Sequence, residues 1–512
     1  MNNSRNYKIA KNTFLLYARM LLVMAINIYT SRVILDALGV VDFGVYNVVG
    51  GVVALFTFLS SSMSNSTLRF ITFSLGKGEV EELKKTFTTS VQIHFIISLV
   101  ILLFAETLGV WFLNNKIVIP EERMTAAQWV YQLSILSCLL SIVVVPYISL
   151  IKAHERMGAF AIISIVDVIL KLVVAFVIQL FGIDRLVFYA FLILLIHALD
   201  LLLYYIYCHR HYIESKLQRV FDGPLFKRMI SFAGWSLVGN FAWMGYTQGL
   251  NILLNLFFGP VVNAARGVAV QVQNAVKGFV TNFQTAINPQ ITKSYANGEF
   301  ARLRKLIYTG SKLSYYLLLI VVIPLIYQAG PILSVWLKEV PDHTVAFMQL
   351  SLCVLLIEPL ANPIGIANNA TGDIKVYQLV EGGLLILIVP IAYLCLKLGA
   401  NPESVFIVQI IVSLIVQFVR VILVRKKLDI QFNQYLKYVV FYVMVVSVLS
   451  VSISFLLLKI FPDSFIGVIA FIIISCCATT GISYLFGLNK EEKEYINSKA
   501  SLIKNKFISN KS

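Results

Sequence analysis

Apolar runs of about 18 or more residues recur along the whole chain, and each is long enough to cross a hydrocarbon core about 30 Å thick. No other feature constrains the fold so strongly. In lipid the backbone N–H and C=O groups must be satisfied within the segment, so these runs have to be helices. The alternating segments of about 10 residues that build membrane barrels are absent from the sequence. Only 13% of the 512 residues are charged and 58% are apolar. A soluble domain carries roughly 25% charged residues, so this chain lacks the means to cover a water-facing surface. The expected fold is an all-α polytopic membrane protein with about fourteen transmembrane helices.

The start, Met1 to Thr13, is polar and basic. The apolar stretch after it runs too long for a signal peptide and lacks a small-residue cleavage site, so the first span is expected to be retained. Cys138, Cys208, Cys353, Cys395, Cys476 and Cys477 form no CxxC pair and no cluster with histidine. Neither a disulfide frame nor a metal site is indicated. The net charge of +16 would suggest nucleic acid in a soluble protein, but here it sorts by topology. With the N-terminus inside, about 29 of the 42 basic residues fall in cytoplasmic segments and about 6 in external loops. The clusters are Lys77/Lys84/Lys85, Arg210/Lys216/Arg219/Lys227/Arg228, Arg302/Arg304/Lys305, Arg425/Lys426/Lys427 and the tail from Lys490 to Lys511. Both termini are therefore expected to be cytoplasmic, with nearby basic residues contacting anionic membrane lipids and no nucleic-acid partner.

An internal duplication organises the spans. Ser74-Leu-Gly-Lys-Gly-Glu-Val-Glu-Glu-Leu-Lys-Lys85 aligns with Ser294-Tyr-Ala-Asn-Gly-Glu-Phe-Ala-Arg-Leu-Arg-Lys305 at an offset of 220. At the same offset Gly39 meets Gly259, and Pro146, Ala153 and Gly182 meet Pro363, Ala370 and Gly399 at 217. A six-span unit repeated once keeps its orientation, so the halves should be related by an axis along the membrane normal. The expected organisation is a first six-helix lobe at 1–208, a cytoplasmic linker at 209–228 and a second lobe at 229–424. Two additional helices at 425–487 and a basic cytoplasmic tail at 488–512 follow. Pro289, Pro324 and Pro363 fall inside or close to the ends of spans, where they are candidates for kinks.

The stretch Thr30-Ser-Arg-Val-Ile-Leu-Asp-Ala-Leu-Gly39, the run Asp42-Phe-Gly-Val-Tyr-Asn47 and Ser61-Ser-Met-Ser-Asn-Ser-Thr-Leu-Arg-Phe70 resemble the signature of Wzx-type O-antigen flippases. These are polysaccharide transporters of the MOP superfamily, which also holds MATE drug exporters and MurJ-type lipid II flippases. The resemblance covers essentially the whole chain. It implies alternating access, with spans 1, 2, 7 and 8 lining a central cavity.

Those spans can be read from their own residues. In span 8, Arg266, Gln273, Lys277, Gln284 and Asn288 fall within about 40° of one another on a helix, with Arg266 and Lys277 roughly 16 Å apart along the axis. Span 7 offers Ser236, Asn240, Thr247 and Asn251 at helical spacing, with Trp243 among them. Span 2 ends in Asn65 and Arg69 after a serine cluster at 60–62, and span 1 carries Arg19 and Thr30 on one face. Charge at membrane depth normally faces a bundle interior or water. Arginine offers phosphate a fork of donors, and amides and aromatics suit sugar hydroxyls and ring faces. The substrate-binding candidates are thus Arg19, Arg69, Asn240, Trp243, Asn251, Arg266, Gln273, Lys277, Gln284 and Asn288. Plainer roles stand beside these: Arg19 snorkelling to the interface, Arg32 pairing with Asp36, and polar residues of spans 7 and 8 joining helices.

Coupling to a proton or sodium gradient, or to the membrane potential, needs a different site. Asp167 and Glu381 are the candidates, with Lys171 one turn from Asp167 as a possible ion-pair partner. Glu106, Asp200 and Glu358 stand near span ends, and His94 and His197 lie within spans. No catalytic constellation and no Walker loop is present, so neither enzymatic activity nor a cofactor is expected. The expected function is that of a flippase, moving an undecaprenyl-pyrophosphate-linked oligosaccharide across a bacterial inner membrane alongside other polysaccharide-assembly proteins. A MATE-like exporter, which would show acids in its cavity, and a membrane-embedded polymerase or glycosyltransferase, which would need a large external loop, are the alternatives. The first reading would fail if Arg266 and Lys277 were directed at lipid or locked to carboxylates around a neutral or acidic central vestibule.

Overall fold

The computed structural model describes residues 2–115, 119–181, 184–337, 340–461, 464–490 and 492–494. Gly182 and the tail beyond 494 lie outside the described residues, as do the side chains of Arg32, Ser60 and Ser61. Among the described residues there is no strand, and 88% of them are helical. The α-helices are α1 (Asn2–Lys77), α2 (Val80–Phe104), α3 (Val110–Asn115), α4 (Met124–Val143), α5 (Val145–Ala153), α6 (Met157–Val177), α7 (Arg185–His211), α8 (Gly223–Ala296) and α9 (Phe300–Tyr327). They continue as α10 (Ala329–Trp336), α11 (Thr344–Leu355), α12 (Glu358–Thr371), α13 (Lys375–Ile386), α14 (Ile388–Lys397), α15 (Ser404–Val424), α16 (Phe432–Tyr435), α17 (Phe441–Leu458) and α18 (Phe465–Phe486). Ten helical segments among the described residues are long and apolar enough to cross a membrane. The four polar-striped spans of the sequence reading fall instead in α1 and α8.

Those two helices explain each other. At 1.5 Å per residue the 76 residues of α1 would reach about 114 Å if straight, several times the hydrocarbon thickness. Both are broken at one glycine: Gly39 at φ 76°, ψ 169° and Gly259 at φ 82°, ψ −173°. Only glycine occupies that region without strain. The two glycines stand at the repeat offset of 220, and so do Gly78 (φ 79°) and Gly298 (φ 69°), each just past the end of its long helix. The duplication is therefore written in backbone conformation as well as in residue type. The prolines behave less dramatically: α8, α9 and α12 run on as helix through Pro289, Pro324 and Pro363. The breaks between α4 and α5 and between α13 and α14 fall just before Pro146 and Pro390, respectively, where each proline removes a backbone donor.

The chain divides into two compact units. The first holds Met1–Asn240, Thr285–Glu299 and Asn369–Lys375; the second holds Phe241–Gln284, Phe300–Asn368 and Val376–Ser512. This partition differs from a simple cut in mid-sequence for a packing reason. Leu225, Met229 and Phe232 at the start of α8 bury against Met63, Phe70 and Ile93, so the beginning of the second half folds with the first. In the second unit the core runs from Leu250 and Leu254 through Leu318, Phe347 and Leu352 to Val405 and Val416. The two helices beyond the duplication, α17 and α18, pack on α9. Tyr315 shares a 2.8 Å hydrogen bond with Ser447, Tyr327 donates to the Val451 carbonyl, and Ser454 meets Ser475 at 2.8 Å.

Within the first unit an ion cluster ties three span ends. Arg123 grips Asp42 with Nε and Nη2 at 2.7 and 2.6 Å and reaches Asp184 with Nη1 at 2.7 Å. Asp184 also caps α7 through the N–H groups of Leu186 and Val187. Burial pushes the Asp184 carboxyl up, but Arg123 and these donors outweigh it and hold it below the usual carboxylate range. Asp42 of the sequence signature is thus a fastening point just past the Gly39 break.

No heavy atom lies within 4 Å of a Cβ added at Gly259, so a side chain there meets a backbone penalty alone. Gly259→Ala is expected to lower stability by about 1–3 kcal/mol, read as a reduced midpoint of denaturant unfolding in detergent. An unchanged midpoint would show that the break is not held in this conformation.

Candidate functional site

The first unit contains a polar cavity of about 290 Å³. Arg19 and Asn27 of α1, Ser164, Asp167 and Lys171 of α6, and His197, Asp200 and Tyr204 of α7 contribute its polar lining. Helical spacing brings them there: Asp167 and Lys171 are one turn apart, and His197, Asp200 and Tyr204 follow one another at three and four residues. Lys171 Nζ lies 3.0 Å from Asp167 Oδ2, the intrahelical pair anticipated from the sequence. The Arg19 guanidinium sits 4.6 Å from the centre of the Phe160 ring, and its Nε is buried without a hydrogen bond. Asp200 Oδ1 is likewise buried and unbonded. Two cations, two carboxylates and an imidazole thus line one half-open cavity. Such a cluster can take up or release a proton with little change in geometry, because the compensating charges are already in place.

Other candidates of the first unit are engaged elsewhere. Asn240 donates to Ser62 Oγ at 2.6 Å, joining α8 to α1. Asn288 Oδ1 is buried and unbonded near the far end of α8. Arg69 donates from Nε to the Asn369 carbonyl at 2.9 Å and from Nη2 to the Ala370 carbonyl at 2.7 Å. It caps the C-terminus of α12, where unpaired carbonyls attract a cation. His94 is a packed core histidine, fully buried with Nδ1 2.8 Å from the Ser90 carbonyl.

In the second unit Arg266 lies on α8 and is only 4% exposed. Its Nη1 bonds the Asn251 side chain, and its Nη2 donates to the Thr247 carbonyl at 3.2 Å. These partners are neutral. Asn251 in turn donates to Gln248 at 3.0 Å, so the span 7 amides hold the guanidinium. The sequence reading placed Arg266 against water; the structure encloses it. Lys277, on one face with Arg266, forms an ion pair with Glu358 at the start of α12. Its charge is therefore balanced by a carboxylate, contrary to the expectation of a free cavity cation, whereas that of Arg266 is not. Gln273 is half-buried on the same helix, Gln284 is buried with Nε2 unbonded, and Trp243 is exposed.

Glu381 has a partner that the sequence reading did not single out. Arg420 of α15 approaches it with Nε at 2.9 Å and Nη2 at 2.6 Å, and donates through Nη1 to Gln417 at 3.2 Å. Gln417 donates to the Leu360 carbonyl and to the Tyr435 hydroxyl. A lone arginine in the apolar run at 404–424 was the available signal; its partner 39 residues earlier was not readable from spacing. Glu106, near a span end, accepts from Gln132 at 3.2 Å.

Removing one member of a buried pair leaves an uncompensated charge. Arg420→Met is expected to destabilise the second unit by about 3 kcal/mol, and the double change with Glu381→Leu to recover most of it. Detergent unfolding of both variants tests this; equal losses would show that the pair is not the source.

The sequence profile of the family described as "Polysaccharide biosynthesis protein" matches residues 9–295, more than half of the chain. A search of curated protein sequences finds no match. Among solved structures, a multidrug resistance MATE family transporter in its outward-facing conformation superposes with TM-score 0.69 at 13% identity, covering 82% of this chain and 96% of that one. MATE in the straight conformation gives 0.71 at 13% identity, covering 83% and 96%. A MOP superfamily transporter from Pyrococcus furiosus gives 0.67 at 12% identity, covering 82% and 96%. At such identities the likeness speaks for the fold, which is the MATE-like fold of the MOP superfamily. With an all-helical membrane architecture and a profile match across most of its first half and beyond, the chain belongs to the polysaccharide biosynthesis protein family, the group that holds the Wzx-like flippases.

Proposed function

We propose that this multi-pass membrane transporter moves an anionic, lipid-linked oligosaccharide, an undecaprenyl-pyrophosphate-linked O-antigen, capsule or exopolysaccharide unit, from the cytoplasmic to the periplasmic leaflet of a bacterial inner membrane. Both termini lie in the cytoplasm in this reading. The observation that carries it is Arg266: a permanent cation buried on the polar-striped α8 and held by an amide and a carbonyl rather than a carboxylate. A charge costs several kcal/mol at membrane depth, and a pyrophosphate reaching it during transport supplies the missing counter-charge. Lys277 joins it when Glu358 releases it. The Pyrococcus furiosus relative is described by a binding pocket of reversed polarity that suggests a different function, so pocket charge varies on this fold.

The first-unit cavity supplies the coupling. Glu381 is committed to Arg420, whereas Asp167 shares its cavity with Asp200 and His197, and a proton taken up there shifts the balance of four charged groups. Those same carboxylates favour a second reading, a MATE-like exporter of cations. Reconstituted vesicles separate the two: an undecaprenyl-diphosphate-linked glycan should be flipped, and cationic dyes should not be moved.

In cells, Arg266→Ala is expected to reduce surface glycan at least tenfold at unchanged protein level, and Lys277→Ala to reduce it by less. Normal glycan from both variants would remove these residues from the mechanism. In vesicles, Asp200→Asn is expected to abolish the dependence of flipping on an imposed proton gradient; retained dependence would move the coupling site elsewhere.

A further inference from the structure

Two short segments of the second half, Thr285–Glu299 and Asn369–Lys375, fold with the first unit although the chain on either side of each belongs to the second. Apolar packing holds each in part, Ala286 against Leu16 and Met157 and Ile374 against Met63 and Phe70, and a charged residue of the first half grips each as well. Glu155, in the turn between α5 and α6, has its carboxylate almost fully buried. It accepts from Lys293 Nζ at 2.7 Å and from Gln290 Nε2 at 2.5 Å, both in the first segment. Its own backbone sits at φ 59°, a left-handed conformation in which a side chain is strained, and Asn12 braces it by donating to its carbonyl at 2.9 Å. Arg69 holds the second segment through the Asn369 and Ala370 carbonyls. Its guanidinium lies 4.4, 4.8 and 5.6 Å from the rings of Phe70, Phe73 and Phe232. Gly372, at φ 81°, leaves the room it needs: a Cβ there would stand 2.8 Å from Nη2.

We infer that Glu155 and Arg69 form a two-point lock that releases Thr285–Glu299 and Asn369–Lys375 once in each transport cycle. The inference rests on the alternating-access reading above. Counting spans puts the turns at 78, 154, 298 and 372 on one face of the membrane, the side proposed as cytoplasmic. A purely structural buried carboxylate is served by groups that never leave it. Here both side-chain partners of Glu155 come from one segment, and both hydrogen-bond partners of Arg69 from the other. Residue spacing at the contact is tight: a Cβ added at Gly76 would lie 2.9 Å from that of Ala296, and beside them the rings of Phe73 and Tyr295 meet with centroids 6.5 Å apart. Small residues and a few charge-assisted bonds make a contact that is specific when closed and separable when its charges find other partners.

A cysteine pair at Gly76 and Ala296, in a chain whose six native cysteines are replaced by serine, tests the lock in vesicles carrying an undecaprenyl-diphosphate-linked glycan. The Cβ separation is slightly short of the usual disulfide range and needs only a small relaxation. Oxidised protein should flip at least tenfold more slowly than reduced protein; equal rates would overturn the inference. If the reduced pair is itself inactive, maleimide labelling of a single Ala296→Cys decides. Labelling should accelerate several-fold when Glu155→Gln and Arg69→Gln are added, and unchanged labelling would overturn the lock. Parent protein that flips no lipid-linked glycan would sink the transport reading, while the labelling comparison still decides the lock.

Discussion

A charge withdrawn from water has to be answered by another group, and in this chain the answers come from far along the sequence. Lys312 of α9 finds Glu492 at 2.7 Å, beyond α18, and Thr309 bonds the same carboxylate. Arg420 finds Glu381, Lys293 finds Glu155, and Arg123 gathers Asp42 and Asp184. Apolar helices in lipid have little hydrophobic reason to choose one neighbour over another. Buried ion pairs, which are costly when broken, supply that choice. They fix α13 against α15, hold the end of α8 in the first unit, and seat the residues after α18 upon α9.

Against this background Arg266, held only by neutral groups, stands out as a buried charge left without an opposite. Arg19 differs, facing a phenylalanine ring and a cavity in which it and Lys171 are matched by Asp167 and Asp200. A transporter needs such places, since a site fully satisfied in its resting state has nothing to offer a substrate. The two units keep different resources. The second has the enclosed guanidinium and a lysine lent to Glu358; the first has the mixed cavity and the turns that hold segments of the second half.

Much of the scaffold was legible in the residues. Apolar run length required helices, and the offset of 220 aligned Gly39 with Gly259 and Gly78 with Gly298, pairs that the fold places in matching positive-φ conformations. The Asp167–Lys171 pair followed from helical spacing, as did the shared face of Arg266 and Lys277. The site was read less well. Arg69 and Asn240 had the right chemistry for a sugar phosphate, yet one caps a helix and the other binds a serine. Lys277 and Glu381 met partners that no local pattern could reveal. Helical periodicity says which residues share a face but not what that face meets.

What the sequence by itself determined is therefore the membrane, the helices, the duplication and the family, because each depends on local patterns of apolarity, glycine and basic residues that repeat within tens of positions. Only the tertiary structure decided which buried charges are spent on each other and which are kept, because a partner hundreds of residues away is chosen by packing. It also decided that two pieces of the second half fold with the first. At both places apolar packing is joined by a charged residue of the first half, Glu155 or Arg69, and neither announces its partner in the sequence.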